Sequence, residues 1–185
     1  MARATARQPF TGERFVLAAP RVRPVTDADM PFCWDMLYEA AIVSSALRGL
    51  PMADVLGRPG VTDRLSAWGR PGDLGCVAVT IDGAALGAAW QRLLAPTRPG
   101  LGERAPDDAP EITIAVRRGY RGLGVGSALL AALAGRAREA GWQRLAVSVD
   151  PQGGAVRFFR RHGFVAAGRR VGPLGVRELM IGEIG

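Results

Sequence analysis

The stretch Glu111–Leu133, EITIAVRRGYRGLGVGSALLAAL, decides the fold. Its first six residues, Glu111–Val116, are rich in β-branched side chains and predict a short strand. After a turn, three glycines at alternate positions open a helix that we expect to run to about Ala140: Gly122, Gly124 and Gly126. Glycine leaves backbone N–H groups unobstructed by a Cβ atom, and a helix N-terminus adds partial positive charge. The segment therefore predicts a cradle for a pyrophosphate group.

The glycine turn alone does not say which phosphate ligand is bound. A P-loop is excluded because the GK[ST] signature is absent. A nicotinamide-dinucleotide fold would also use such glycines, and Asp150 after the next strand could hold a ribose. In a nicotinamide-dinucleotide fold the strand, glycine turn and helix normally come first in the chain. Here the same unit starts past residue 110 and follows a hairpin. A plain glycine-rich connection that binds nothing also stays open.

Hydrophobic periodicity and turn residues place the other elements around this segment. Residues 1–13 are predicted to be a flexible tail and 14–185 a single domain. The predicted order is β-α-α-β-β-β-α-β-α-β-β, which is a mixed α/β (α+β) fold. Before the central segment we expect a strand, a helix, a short helix and a hairpin about Asp82-Gly83: 14–25, 28–43, 61–68, 76–81 and 84–93. After it we expect strand 145–149, helix 154–161 and strands 164–167 and 177–184, with loops at 44–60 and 94–110.

Composition narrows the class of protein. A chain of 185 residues that is 48% hydrophobic can bury one core. The net charge of +7 accompanies a complete lack of Lys and Asn, so GC-rich coding explains the charge better than nucleic-acid binding does. Aromatic residues make up only 6% of the chain, too few to suggest a surface on which bases would stack. Cys33 and Cys76 have no basic neighbour and are expected to be small buried hydrophobes. No apolar run is long enough to span a membrane, so a cytoplasmic protein is expected.

Two motifs in order resemble those of one family. The segment Arg121–Gly126 is similar to the R/Q-x-x-G-x-G/A loop of the GCN5-related N-acetyltransferase (GNAT) superfamily. Downstream, Ala155, Phe158 and Gly163-Phe164 fit its A-x-x-Φ-Y-x-x-x-G-F pattern, in which Φ is apolar. The resemblance covers residues 14–184. It implies a mostly antiparallel mixed sheet of about six or seven strands flanked by about four helices.

The resemblance also implies a reaction. An acyl-CoA, with acetyl-CoA the expected donor, would give its acyl group to an amine that attacks the thioester directly, without a metal. The backbone N–H of Val116 would stabilise the oxyanion. Glu111 would be the general base, with a solvated strand-end residue as the open alternative, and Glu39 on the first helix could face the acceptor groove or water. The family pattern assigns the following residues to coenzyme A: Ala115, Val116, Arg121, Gly122, Leu123, Gly124, Val125, Gly126, Ser127, Gly153 and Phe159.

The sequence departs from the family pattern at two of these positions. Gly153 stands where an Asn often contacts pantetheine, and Phe159 stands where a Tyr often protonates the leaving thiolate. His162 and Ser148 are weaker substitutes for these polar groups, and Tyr38 on the first helix could line the acceptor groove or pack in the core or at the surface. The departures leave open a non-catalytic acyl-CoA-binding module. The basic composition leaves open a transferase that takes its acyl group from an acidic carrier protein.

The acceptor is not fixed by the sequence. The resemblance implies a groove built from residues 30–70, 94–110 and 168–177, which would receive a small-molecule amine or a peptide N-terminus. No acidic cluster occurs in 30–70, which disfavours polycationic acceptors. Neither nucleic acid nor membrane is expected as a partner, and a homodimer stays open.

Overall fold

The structure is a computed structural model that describes residues 19–43, 47–94, 106, 108–172 and 175–185. Seven strands form one sheet in the order β1-β2-β3-β4-β5-β7-β6. The strands are β1 Arg21–Pro24, β2 Leu74–Val79, β3 Ala85–Arg92, β4 Glu111–Val116, β5 Arg144–Val149, β6 Val165–Gly172 and β7 Gly175–Glu183. Every neighbouring pair is antiparallel except β4 and β5. The predicted mixed, mostly antiparallel sheet is confirmed.

Within the described residues, five helices cover the two faces of the sheet: α1 Met30–Ala41, α2 Met52–Leu56, α3 Pro59–Thr62, α4 Val125–Glu139 and α5 Gly154–Arg161. Short 3-10 turns occur at Asp27–Asp29 and Arg118–Tyr120. One hydrophobic cluster joins α1–α3 to one face of the sheet, and a second joins α4 and α5 to the other face. Apolar residues spaced three or four apart explain why α4 turns Val125, Leu129 and Leu133 into this second cluster.

The central elements lie where the sequence placed them. Strand β4 and helix α5 have the predicted bounds, and α4 begins and ends within the predicted helix. The hairpin turn at Asp82-Gly83 is also present. Of the predicted first strand, the structure describes residues from 19 onwards, and only Arg21–Pro24 is extended in the sheet. The predicted tail 1–13 and most of the loop 94–110 lie outside the described residues.

The predicted helix at residues 61–68 is wrong. Two shorter helices, α2 and α3, form instead, and α2 lies inside the stretch 44–60 that turn residues marked as a loop. Burial of Val55 and Val61 against α1 outweighs the Gly and Pro signals there. The chain cannot continue as a helix to Trp68 because Ala67 adopts a positive φ of 48°.

A buried ion pair shapes the segment that follows α3. The side chains of Arg92 and Asp73 are each only 2% exposed and approach to 2.6 Å. The Arg92 guanidinium also donates to the carbonyl oxygens of Asp63, Ser66 and Ala67. Trp90 Nε1 donates to the Arg64 carbonyl oxygen at 2.8 Å. These bonds fix the irregular backbone of 63–67 against β3, and thereby fix the position of Arg64.

We expect Arg92→Met to lower the free energy of unfolding by about 3–5 kcal/mol, because it leaves the Asp73 carboxylate buried without its partner. Urea denaturation measures the loss. Arg144→Met is the matched control: its pair with Asp108 is solvent-exposed, so its loss should change the free energy of unfolding little. Equal losses for the two variants would contradict this account of the segment.

Candidate functional site

The site is a gap within the sheet. Between β4 and β5 only one residue pair is in register in the described chain, Glu111 with Ala146, next to a hydrogen bond from Ala146 N–H to the Pro110 carbonyl oxygen at 3.0 Å. Beyond this vertex the two strands diverge. A cavity of about 470 Å³ fills the space, with walls from β4, β5, α1 and the first turns of α4 and α5.

The edge of β4 that faces the gap carries backbone groups that β3 does not use. Arg117 N–H donates to the Leu86 carbonyl oxygen on β3 at 2.9 Å. Because alternate residues of an antiparallel strand turn their N–H groups to opposite edges, Ala115 also points to β3, whereas Ile114 and Val116 point into the gap. The Val116 carbonyl oxygen accepts a hydrogen bond from Arg121 Nε at 2.9 Å.

The glycine turn lies at the wide end of the gap. Gly122 and Gly124 have φ values of 77° and 83°, and a Cβ atom on either would meet nothing within 4 Å. Gly124 precedes the first residue of α4, and no side chain caps this helix N-terminus. Free N–H groups and open space above the turn are what an anion cradle needs.

The predicted coenzyme A residues fall into two groups. Six line the cavity: Ala115, Val116, Arg121, Gly122, Gly126 and Phe159. Among the others, Leu123 is exposed and Val125 is buried in the core, while Gly124 and Gly153 precede α4 and α5. The Ser127 hydroxyl is bonded to His162 Nε2 at 3.0 Å, which ties the first turn of α4 to the end of α5.

An acidic residue of α1 meets the glycine turn across the cavity mouth. Glu39 lines the cavity and accepts hydrogen bonds from Arg121 at 2.8 Å and Arg118 at 3.2 Å. The sequence left open whether Glu39 faces the groove or water, and the structure places it at the groove.

Glu111 lies at the vertex and is only 3% exposed. One carboxylate oxygen accepts from Arg64 at 2.6 Å and the other from Arg170 at 3.0 Å. Burial alone would raise the pKa of Glu111, but the charges of Arg64 and Arg170 outweigh it and lower this pKa to about 2. The alternative of a solvated strand-end carboxylate is therefore wrong, whereas the role of general base stays a prediction.

Three arginines around this vertex were missed at the level of sequence. Arg64 follows α3, Arg170 lies on β6 and Arg177 on β7, and both Arg64 and Arg177 line the cavity. Among the chain's many arginines nothing in the local pattern distinguishes these three. Only the tertiary fold brings them together.

The other polar candidates from the sequence lie as follows. Ser148 lines the cavity, and Tyr38 donates its hydroxyl to the Leu50 carbonyl oxygen at 3.0 Å. Cys33 and Cys76 are buried free thiols, and burial raises the pKa of each to about 12. Among the described residues, no cluster of three metal-ligating side chains occurs, and no helix has the length and hydropathy needed to cross a bilayer.

The mostly antiparallel sheet and the glycine turn between β4 and α4 are the architecture that the sequence motifs predicted. The chain belongs to the Acetyltransferase (GNAT) family, whose model matches residues 41–164. A comparison with curated proteins finds no match.

Solved structures share the fold at low sequence identity. A ribosomal-protein-alanine N-acetyltransferase from Brucella melitensis is 22% identical with a TM-score of 0.62, over 88% of this chain and 99% of that one. The yncA protein of Salmonella typhimurium, assigned as an acetyltransferase and solved with its cofactor acetyl-CoA, is 17% identical with a TM-score of 0.65, over 91% and 95%. A phosphinothricin acetyltransferase from Sinorhizobium meliloti in complex with acetyl-CoA is 22% identical with a TM-score of 0.60, over 91% and 90%.

We expect Glu111→Gln to lower the free energy of unfolding at pH 7 by about 3–5 kcal/mol, because two partly buried guanidiniums lose their shared, buried carboxylate. The folded-state pKa of Glu111 lies below its ordinary value of 4.5. The stabilisation is therefore fully present above pH 4.5 and is lost as the pH falls toward 2.

Urea denaturation of both proteins between pH 7 and pH 2.5 tests this, with the exposed Glu139→Gln on α4 as control. The difference between wild type and Glu111→Gln should shrink toward acid. A difference that stays constant over this range would show that the Glu111 carboxylate is not held ionised by the arginines.

Proposed function

We propose that this protein transfers an acyl group, normally acetyl, from acyl-coenzyme A to an amine by direct attack on the thioester. One observation carries the proposal: the free edge of β4 and the open glycine turn at the start of α4 border the same cavity. Acyl-coenzyme A has an extended pantetheine arm with a pyrophosphate at one end. The arm would lie along the strand edge and the pyrophosphate in the anion cradle.

Backbone N–H groups and nearby arginine side chains make the cradle suitable for phosphates. The N–H groups of residues 122–126 would bind the pyrophosphate, since the space above Gly122 and Gly124 is open. Arg121 would contribute its guanidinium, which is 44% exposed and already bridges the turn to Glu39. A second cavity lies beside Gly154 and is lined by three arginines of α5, so the positive surface continues along this helix: Arg157, Arg160 and Arg161. These cations favour the negatively charged end of the donor.

The backbone of β4 would orient the thioester. The N–H and C=O groups of Ile114 would pair with the pantetheine arm in the manner of an added strand. The N–H of Val116 would donate to the thioester oxygen as negative charge develops there. The amine nitrogen forms the new C–N bond, the C–S bond breaks, and the thiolate leaves.

Two protons must move in this reaction. The attacking amine must lose one, and Glu111 is the base that the sequence predicts. With a pKa of about 2 and both oxygens held by arginines, its carboxylate accepts a proton poorly on its own. We therefore expect water in the cavity to take the proton, with Glu111 acting chiefly to hold Arg64 and Arg170.

The leaving thiolate needs the other proton. Phe159 is 2% exposed and packs against Phe158 and Phe164, so α5 offers no phenol. A free thiol has a pKa of about 8.5, so water near neutral pH can protonate the thiolate without an enzymic acid.

A non-catalytic acyl-CoA-binding module is the second candidate. It is favoured by the lining of the main cavity, where the described residues include no Tyr, Cys or His. Turnover separates the two candidates: release of free thiol that depends on an added amine supports the transferase, whereas binding of acetyl-CoA without turnover of any amine supports the module.

We expect Gly124→Ala to weaken acetyl-CoA binding measured by calorimetry. Its matched control is Gly141→Ala: both glycines have positive φ, 83° and 91°, with nothing within 4 Å of an added Cβ atom. Each substitution should therefore cost about 1–2 kcal/mol of stability through the same backbone strain. Only Gly124 lies at the cradle. Equal acetyl-CoA affinity in the two variants would contradict the cradle, and saturable binding of NADH in place of acetyl-CoA would overturn the proposal.

A further inference from the structure

The cavity passes through the sheet and has two chemically different ends. On β4 and β5, Ile112 and Val147 pack with α4 and α5, whereas Ala115 packs with α1–α3. Because side chains of a strand alternate between faces, Glu111 and Ser148 lie on the α1–α3 face. The glycine turn and the start of α5 lie on the other side. A donor held by its phosphates at α4 therefore presents its acyl group toward the α1–α3 face.

Arg177 lies on this α1–α3 face of β7. Met180 of the same strand belongs to the α4 cluster, so the alternation turns Arg177 to the opposite face. Its Nη2 donates to the Ser148 carbonyl oxygen at 2.7 Å. Its Nε is buried and has no hydrogen-bond partner among the described residues. The side chain also lines the cavity.

Four charged groups among the described residues act on Arg177. The groups that act on it are the guanidiniums of Arg64 and Arg170 and the carboxylates of Glu111 and Asp150. Both oxygens of Glu111 are already taken by Arg64 and Arg170. Glu111 is therefore not a hydrogen-bond partner of Arg177 Nε.

Burial lowers the pKa of Arg177 to about 10, and Arg64 acts in the same direction. The side chain is still a cation at neutral pH. Arg177 is half-buried, and its buried Nε–H without a partner is costly unless an acceptor binds beside it. The guanidinium fork matches the two oxygens of a carboxylate.

We infer that the acceptor is an amine that also carries a carboxylate, as a free amino acid does, and that Arg177 binds this carboxylate while the amino group faces the thioester. The inference rests on the proposed acyl transfer. It favours a small amino acid over a peptide N-terminus, whose neighbouring carboxyl group is an uncharged amide. The same cation could instead bind a carboxylate on the acyl group, as in succinyl-CoA, and the experiment distinguishes these two sources.

Calorimetry with acetyl-CoA comes first, because absence of binding there would count against the proposed function and not against the acceptor. Free-thiol release is then followed with acetyl-CoA and matched acceptors: the common amino acids, their amides and the corresponding decarboxylated amines. We expect kcat/KM for the preferred amino acid to exceed that of its amide by at least about 30-fold. Turnover of no amino acid, or equal turnover of acid and amide, would overturn the inference.

Arg177→Gln should remove this preference. We expect it to lower kcat/KM for the amino acid by about 30-fold or more, mainly through KM, and to leave the acetyl-CoA affinity and the rate with the amide unchanged. Arg21→Gln, at an exposed arginine of β1 on the opposite edge of the sheet, is the matched control and should change neither rate. Thermal unfolding checks that both variants are folded.

An equal loss on acid and amide in Arg177→Gln would overturn the inference by showing a structural role. A loss confined to succinyl-CoA, with amino acid and amide alike when acetyl-CoA is the donor, would overturn it by assigning the carboxylate to the acyl group.

Discussion

The divergence of β4 and β5 from a single shared residue pair is the constraint on which the rest of the structure depends. A sheet that stayed paired along both strands would bury the backbone groups of Ile114 and Val116 in its ladder and leave no cavity. The vertex is held by Glu111, whose two oxygens tie the segment after α3 to β6 through Arg64 and Arg170. Arg92 then fixes the backbone around Arg64 from β3. The opening is therefore braced on the side where the strands meet.

Positive charge and free N–H donors lie at the two ends of this opening. At one end the uncapped N-terminus of α4 and Arg121 face the space above the glycine turn. At the other end Arg64 and Arg177 face the α1–α3 side. The net charge of +7 looked at first like a consequence of composition alone. The fold shows that part of this positive charge is localised, because arginines are concentrated where phosphates and a carboxylate would bind.

The sequence predicted correctly those elements whose structure is determined by a few neighbouring residues. The β-branched run of β4, the alternate glycines and the short helix α5 lie at their predicted positions because each is encoded within a few neighbouring residues. The helix predicted at 61–68 failed because Arg92, about 25 residues downstream, binds the carbonyl groups of that segment in an irregular path. The cluster of Glu111 with Arg64 and Arg170 could not be predicted, since its members come from three distant elements in a chain full of arginine.

Amide hydrogen exchange followed by NMR, with and without acetyl-CoA, tests the central claim most directly. The account predicts new protection at the N–H groups of Ile114 and Val116, which face the gap, and at residues 122–126 of the cradle. Thr113 and Ala115, whose N–H groups point to β3, should already be protected and should change little. Protection that appears on another surface, with Ile114 and Val116 still exchanging freely, would contradict the claim that the split between β4 and β5 is where the donor binds.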